Sequence, residues 1–185
     1  MNKKVKILML VNWKISSEIE KPIDKQPPDY IVKGEPYWFF KHFKKLETFE
    51  IDVVDISSCK IIEKFEKNIL RFYLIQTLKI LFRLNQYDII ISHGMQSGVI
   101  LSLIRRFFKI KPQHLVFDIG SFNSAAEKGF SLRLLQFASK SIDCIIYHTS
   151  SQIEYYKRFF PWLVNRANFV RFGPDLEFFK INCTS

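Results

Sequence analysis

The chain has 185 residues, 48% hydrophobic and 25% charged, which suits one globular domain and excludes both intrinsic disorder and two large domains. Lys and Arg outnumber Asp and Glu by 28 to 18, and the net charge of +10 favours anionic partners: nucleic acid, an acidic membrane surface or phosphorylated small molecules. Three cysteines with no CxxC pair argue against a disulfide framework or zinc knuckle and fit a reducing compartment.

The longest uncharged stretch, Ile89–Ile104, is interrupted by Ser92, His93, Gly94, Gln96, Ser97 and Gly98, so no membrane span is expected. Residues Met1–Lys6 are basic, but Ile7–Val11 is too short for a signal-peptide core. The expectation is a cytoplasmic protein, with room for peripheral contact at the inner face of the membrane.

Val5–Val11 reads as a buried strand, because a short continuous apolar run is what a parallel strand covered on both faces needs. Trp13–Glu35, with Pro22, Pro27 and Pro28, reads as a long loop. Pro36 suits a first helical position, and Phe39, Phe43 and Leu46 follow at helical spacing. Phe49–Ile56 is the second strand, and Glu63–Asn85 reads as one long amphipathic helix. Tyr87–Ser92 is strand three, with His93-Gly94 as its turn, and Ser97–Phe108 is a helix. His114–Phe117 is strand four, ending at Asp118-Ile119-Gly120, and Ser131–Ser141 is a helix after the loop Ser121–Gly129. Asp143–Tyr147 is strand five, Ser151–Glu154 matches a capping box for a helix to about Phe160, and Asn168–Phe172 is strand six. Strands alternate with helices throughout. The pattern predicts an α/β fold: a doubly wound, Rossmann-like, mostly parallel sheet with helices on both faces.

In such a sheet ligands bind beyond the carboxyl ends of the strands. Four polar clusters follow those ends: Asn12-Trp13, His93-Gly94, Asp118–Ser121 and His148–Ser150. The first turn reads Asn12-Trp13-Lys14, so the dinucleotide fingerprint is absent there, and the chain contains no phosphate-binding loop, GxSxG elbow or HExxH pair. No metal ligand set and no cofactor is implied. Only six glycines are present, and phosphate-cradling loops need glycine where backbone must approach a phosphate. His93 and Asp118 are the most informative polar pair: each stands past an apolar strand, either facing a ligand or serving as a helix cap and an amide acceptor. Cys144 reads as core, and His42 and His114 as surface and strand-edge residues. Arg105, Arg106, Lys109 and Lys111 cluster at a helix end, where a solvated face complementing the helix dipole is weighed against a lipid-headgroup patch. Tyr37, Phe39 and Phe40 read as a core face beside Lys41, Lys44 and Lys45, and Trp38 stays open between the core and a membrane interface.

The order of motifs resembles the N-terminal, acceptor-side domain of family 4 glycosyltransferases with the two-domain GT-B architecture. The resemblance rests on Lys33-Gly34-Glu35-Pro36 before the first helix and on the strand Tyr87–Ser92 ending in His93-Gly94. It rests also on Ser141–Ser150 before a capped helix and on Val170–Phe179 closing the first domain. Two positions depart from the pattern: Asp118 stands where many members carry a His, and Phe172 replaces the usual asparagine.

The resemblance implies a domain over residues 1–179 and a short tail, 180–185, at the interdomain hinge, with the donor-binding domain not contained in this chain. It implies a nucleotide-sugar-dependent transfer, retaining in stereochemistry, to a glycan or lipid-linked acceptor. Asp118 and His93 are the expected catalytic residues, and Lys33, Gly34, Glu35, Gly94, Gly120, Ser121 and Ser150 the expected substrate contacts. The expected partners are the acceptor, a separate donor-binding domain or chain, and anionic membrane, but not nucleic acid. The alternative is a stand-alone binding module or partner subunit without activity of its own.

Overall fold

A computed structural model describes residues 3–66, 68, 72–120 and 127–171. Its main sheet has six strands: β1 (Val5–Leu10), β4 (Phe49–Val54), β5 (Ile89–His93), β6 (Gln113–Phe117), β7 (Cys144–Tyr147) and β8 (Ala167–Phe169). Their spatial order is β4-β1-β5-β6-β7-β8, and every neighbouring pair is parallel. Between β1 and β4 the chain forms a separate two-stranded parallel sheet, β2 (Ser16–Glu18) with β3 (Tyr30–Val32). The fold is α/β and Rossmann-like.

Parallel strands must be joined by crossovers, and the crossovers bury both faces of the sheet. Alternate residues of β1 therefore enter different cores. Leu8 and Leu10 pack with Ile80 of α2 (Leu74–Ile80), Ile90, and Leu101 of α3 (Met95–Phe107). Ile7, Met9 and Val11 pack on the opposite face with Tyr37, Phe40 and Ile91. A third cluster joins Val99, Val116 and Ile145 to Leu132 and Leu135 of α4 (Phe130–Ser139) and Tyr156 of α5 (Ser150–Phe159). A short α6 (Pro161–Val164) adds Leu163 to it. At Gly98 a Cβ would lie 3.4 Å from both Ser92 Cβ and Val116 Cγ2, so glycine lets α3 press onto β5 and β6.

Several sequence expectations need correction. The segment after Pro36 forms two 3-10 turns, Trp38–Phe40 and Leu46–Thr48, instead of a helix. Tyr37–Phe40 is a run of four aromatics, poor helix formers, and it folds its side chains onto the sheet: Tyr37 and Phe40 are buried, Trp38 and Phe39 half-buried. The long helix expected over 63–85 is also broken. It begins as α1 (Lys60–Phe65) and resumes as α2 after a non-helical Phe72-Tyr73. The buried Glu66 carboxylate accepts a 2.7 Å bond from the Ile75 N–H, satisfying an amide that a helix start leaves open. Helix α5 takes Thr149 as its cap and Gln152 as its third residue, two positions before the expected Ser151–Glu154 box.

His114 is a further correction. It lies on a central strand, not at an edge, and is fully buried between Ser92 Oγ at 2.9 Å and Ser102 Oγ at 3.3 Å. Burial, with the nearby Arg105 charge, pushes its pKa down to about 3. His93 is depressed as well, to about 4. The unfolded chain therefore binds more protons than the folded one below a pH of roughly 6.5, so stability is full above that value and falls on acidification toward the folded pKa values. Urea unfolding at pH 7, 6 and 5 should show a loss on the order of 1 kcal/mol per pH unit per histidine below pH 6.5. The slope should fall by about half in His114→Gln, because one of the two linked protons is removed.

Candidate functional site

Because the strands are parallel, β1, β5, β6 and β7 all end on one rim. The rim holds a ring cluster centred on His93. The Trp13 ring meets the imidazole edge-on at a centroid distance of 4.5 Å, Phe39 meets it at 6.0 Å, and Phe117 lies nearly parallel to it at 6.3 Å. Trp13 is itself held: its indole N–H reaches the Tyr37 hydroxyl at 3.1 Å and the Pro28 carbonyl at 3.3 Å. Beside it the Asn12 amide donates to Gln96 Oε1 at 3.4 Å.

His93 is 8% exposed, and among the described residues its buried Nδ1 has no hydrogen-bond partner. Burial first, and His148 second, hold the imidazole pKa near 4, so it is neutral at physiological pH. The neutral ring is enclosed by Trp13, Phe39 and Phe117, and its chemistry there is that of a hydrogen-bonding group rather than a charge. Gly94 follows at φ 88, where its N–H donates to Phe117 O at 2.8 Å and opens α3.

Asp118 is an amide acceptor, one of the two alternatives its position left open. Its side chain is fully buried. One carboxylate oxygen accepts the Tyr156 hydroxyl at 2.5 Å, and the other accepts the Gly120 N–H at 3.0 Å. The Gln152 amide donates to the Asp118 carbonyl at 2.7 Å, and Gln152 Oε1 accepts from the N–H groups of His148 and Thr149, each at 2.8 Å. Burial, followed by the Asp118 charge, raises the Tyr156 pKa well above its ordinary value and keeps the phenol a donor. Asp118 thus clamps the β6 turn to the start of α5, and Gly120, at φ 96, supplies the left-handed backbone that the turn requires.

The structure brings His93, Gly94, Asp118 and Gly120 to one rim, with Ser150 exposed at the start of α5 beside it. Ser121 lies outside the described residues. Lys33, Gly34 and Glu35 form an exposed turn after β3, with Gly34 at φ 87. Glu35 lines a groove with Tyr30, Pro36, Trp38 and Lys41, and Gly34 and Glu35 line a hollow with Leu46, Phe49 and Val53. Neither is lined by His93, Asp118, Gly120 or Ser150. The sequence reading placed Asn12-Trp13 on the rim without giving Trp13 a role there, and it missed Gln152 and Tyr156 as members of the site. Among the described residues no group of three His, Cys, Asp or Glu side chains is placed to hold a metal ion, and no helix is long and apolar enough to cross a membrane.

No family model matches the sequence, and no curated protein matches it. The fold does have a counterpart among solved structures: Alr3699/HepE of Anabaena, determined in complex with UDP. The likeness has a TM-score of 0.51 at 14% identity and covers 97% of this chain and 47% of that one. At that identity the likeness is one of fold. The chain spans about half the length of that structure.

The Asp118 clamp is directly testable. Tyr156→Phe removes the hydroxyl and leaves a buried carboxylate oxygen without that donor, so it should cost about 1–3 kcal/mol in denaturant unfolding. A change within a few tenths of a kcal/mol would mean that the clamp does not hold the rim.

Proposed function

We propose that this chain is the acceptor-side half of a nucleotide-sugar-dependent glycosyltransferase, similar to family 4 and retaining in stereochemistry, acting on a glycan or lipid-linked acceptor. The observation that carries the reading is the neutral His93 nitrogen beneath Trp13 on the rim, which has no partner among the described residues. Sugars bind through hydroxyls and through apolar ring faces, and an imidazole beside an indole offers a partner for each. The turn after β1 has no glycine to let backbone approach a diphosphate, so the reading places the donor on a second domain or chain. The likeness in fold to a protein determined in complex with UDP supports the same assignment.

In this reading His93 orients the attacking hydroxyl. With a pKa near 4 it is too weak a base to hold much of the transferred proton at neutral pH, so its contribution is position and electrostatics. Asp118 is a positioning residue that acts through Tyr156 and Gly120. Gly94, Gly120 and Ser150 border the acceptor hydroxyl, while Lys33, Gly34 and Glu35 take a more remote part of an extended acceptor.

His93→Phe separates function from packing. Phenylalanine fills a similar volume among Trp13, Phe39 and Phe117 and removes the unpaired nitrogen, so the melting temperature should hold or rise. Saturation-transfer NMR with a panel of octyl glycosides should show contacts in the wild type and at least about tenfold weaker binding in the variant. Equal glycoside binding by both proteins, or a variant destabilised like a core truncation, would overturn the reading.

A further inference from the structure

A second surface lies on the helical layer, away from His93. From Ile89 to Phe117, and again from Lys128 to Ile142, the sequence contains no Asp or Glu, while it contributes Arg105, Arg106, Lys109, Lys111, Lys128, Arg133 and Lys140. The fold packs α3 and α4 side by side, so these two acid-free stretches form one surface.

Exposed aromatics stand among those cations. On α4, Phe130, Arg133, Phe137 and Lys140 follow at intervals of three, four and three residues, a single helical stripe, and all four are exposed. Phe130 is 79% and Phe137 38% exposed. The last turn of α3 meets this stripe, with the Arg106 guanidinium 4.8 Å above the Phe137 ring and the Phe107 ring 5.8 Å from it. Phe107 and Phe108 are 72% and 63% exposed, and Lys109 and Lys111 follow them, also exposed. Arg105 does not join the patch, because its guanidinium is turned inward to the Pro112 and Ser141 carbonyls and to Asp143.

We propose that the α3–α4 surface is a docking site for an anionic lipid bilayer, with Phe107, Phe108 and Phe130 entering the interface and Arg106, Lys109, Lys111, Arg133 and Lys140 meeting the headgroups. Four exposed phenylalanines leave apolar area in water that an acyl boundary would cover. The interleaved cations, with no carboxylate between them, match a negative surface, each contributing on the order of 1 kcal/mol near it. The paired Phe107 and Phe137 rings are covered by the Arg106 guanidinium and share the surface with Lys109, Arg133 and Lys140, whereas the centre of a stable protein interface is depleted of charge. This inference does not depend on the sugar-transfer reading.

Flotation of the full chain with vesicles of neutral phosphatidylcholine, and of the same lipid with 30% phosphatidylglycerol, tests it. The chain should float with the anionic vesicles at about 0.05 M salt and be released at about 0.5 M, with little binding to neutral ones. Lys109→Gln/Lys111→Gln should weaken the partition about thirtyfold, and Phe107→Ser/Phe108→Ser by at least about tenfold. Both double variants alter exposed side chains and should melt like the wild type. Absence of flotation at low salt by folded protein, equal binding to neutral vesicles, or indifference to both double variants would overturn the proposal.

Discussion

Parallel pairing is the constraint from which the rest of this molecule follows. Six strands running the same way cannot be joined by hairpins, so each connection crosses a sheet face and buries it. The strands then carry apolar residues on both sides, as Leu8 and Met9 do in β1, both fully buried. The same constraint gathers every strand's carboxyl end on one rim, where the backbone turns outward and polar residues can stand. Trp13, His93, Asp118 and His148 stand at or just past the ends of four different strands and still gather along that rim.

Two of these groups answer burial in different ways. Asp118 is enclosed and satisfied, its oxygens taken by Tyr156 and Gly120, and it ties the β6 turn to α5. His93 is enclosed among aromatic rings, with one nitrogen left without a partner among the described residues. The proposed acceptor role assigns that nitrogen to a substrate hydroxyl. His114 shows the contrast within the same sheet: fully buried, it is flanked by two serine hydroxyls and reads as structural.

The main sheet was legible because buried parallel strands announce themselves as short apolar runs, and all six were found within a few residues of their bounds. The small sheet was not, since Ser16–Glu18 and Tyr30–Val32 are three-residue strands set among prolines and charges. The break between α1 and α2 was hidden as well, because its cap is Glu66, a residue that reads locally as one more helical side chain. His114 was misplaced because flanking Lys111 and Pro112 suggest an edge, whereas its centrality comes from strand order, a tertiary property. On the rim, the positions of His93 and Asp118 were legible but not their environments. Asp118-Ile119-Gly120 did carry a signal, for an aspartate two residues before a glycine often bonds that glycine's N–H to shape a turn. Nothing local announced Tyr156, which reaches Asp118 from 38 residues away.

The central claim is that this half of the fold presents an acceptor and leaves the nucleotide to another domain. Calorimetric titration of the chain with UDP, GDP and their common sugar conjugates tests it most directly. The account predicts no measurable heat of binding at micromolar ligand concentrations from a sample whose melting curve shows it folded. Micromolar affinity for any of these nucleotides would contradict it, because the rim would then hold a diphosphate itself.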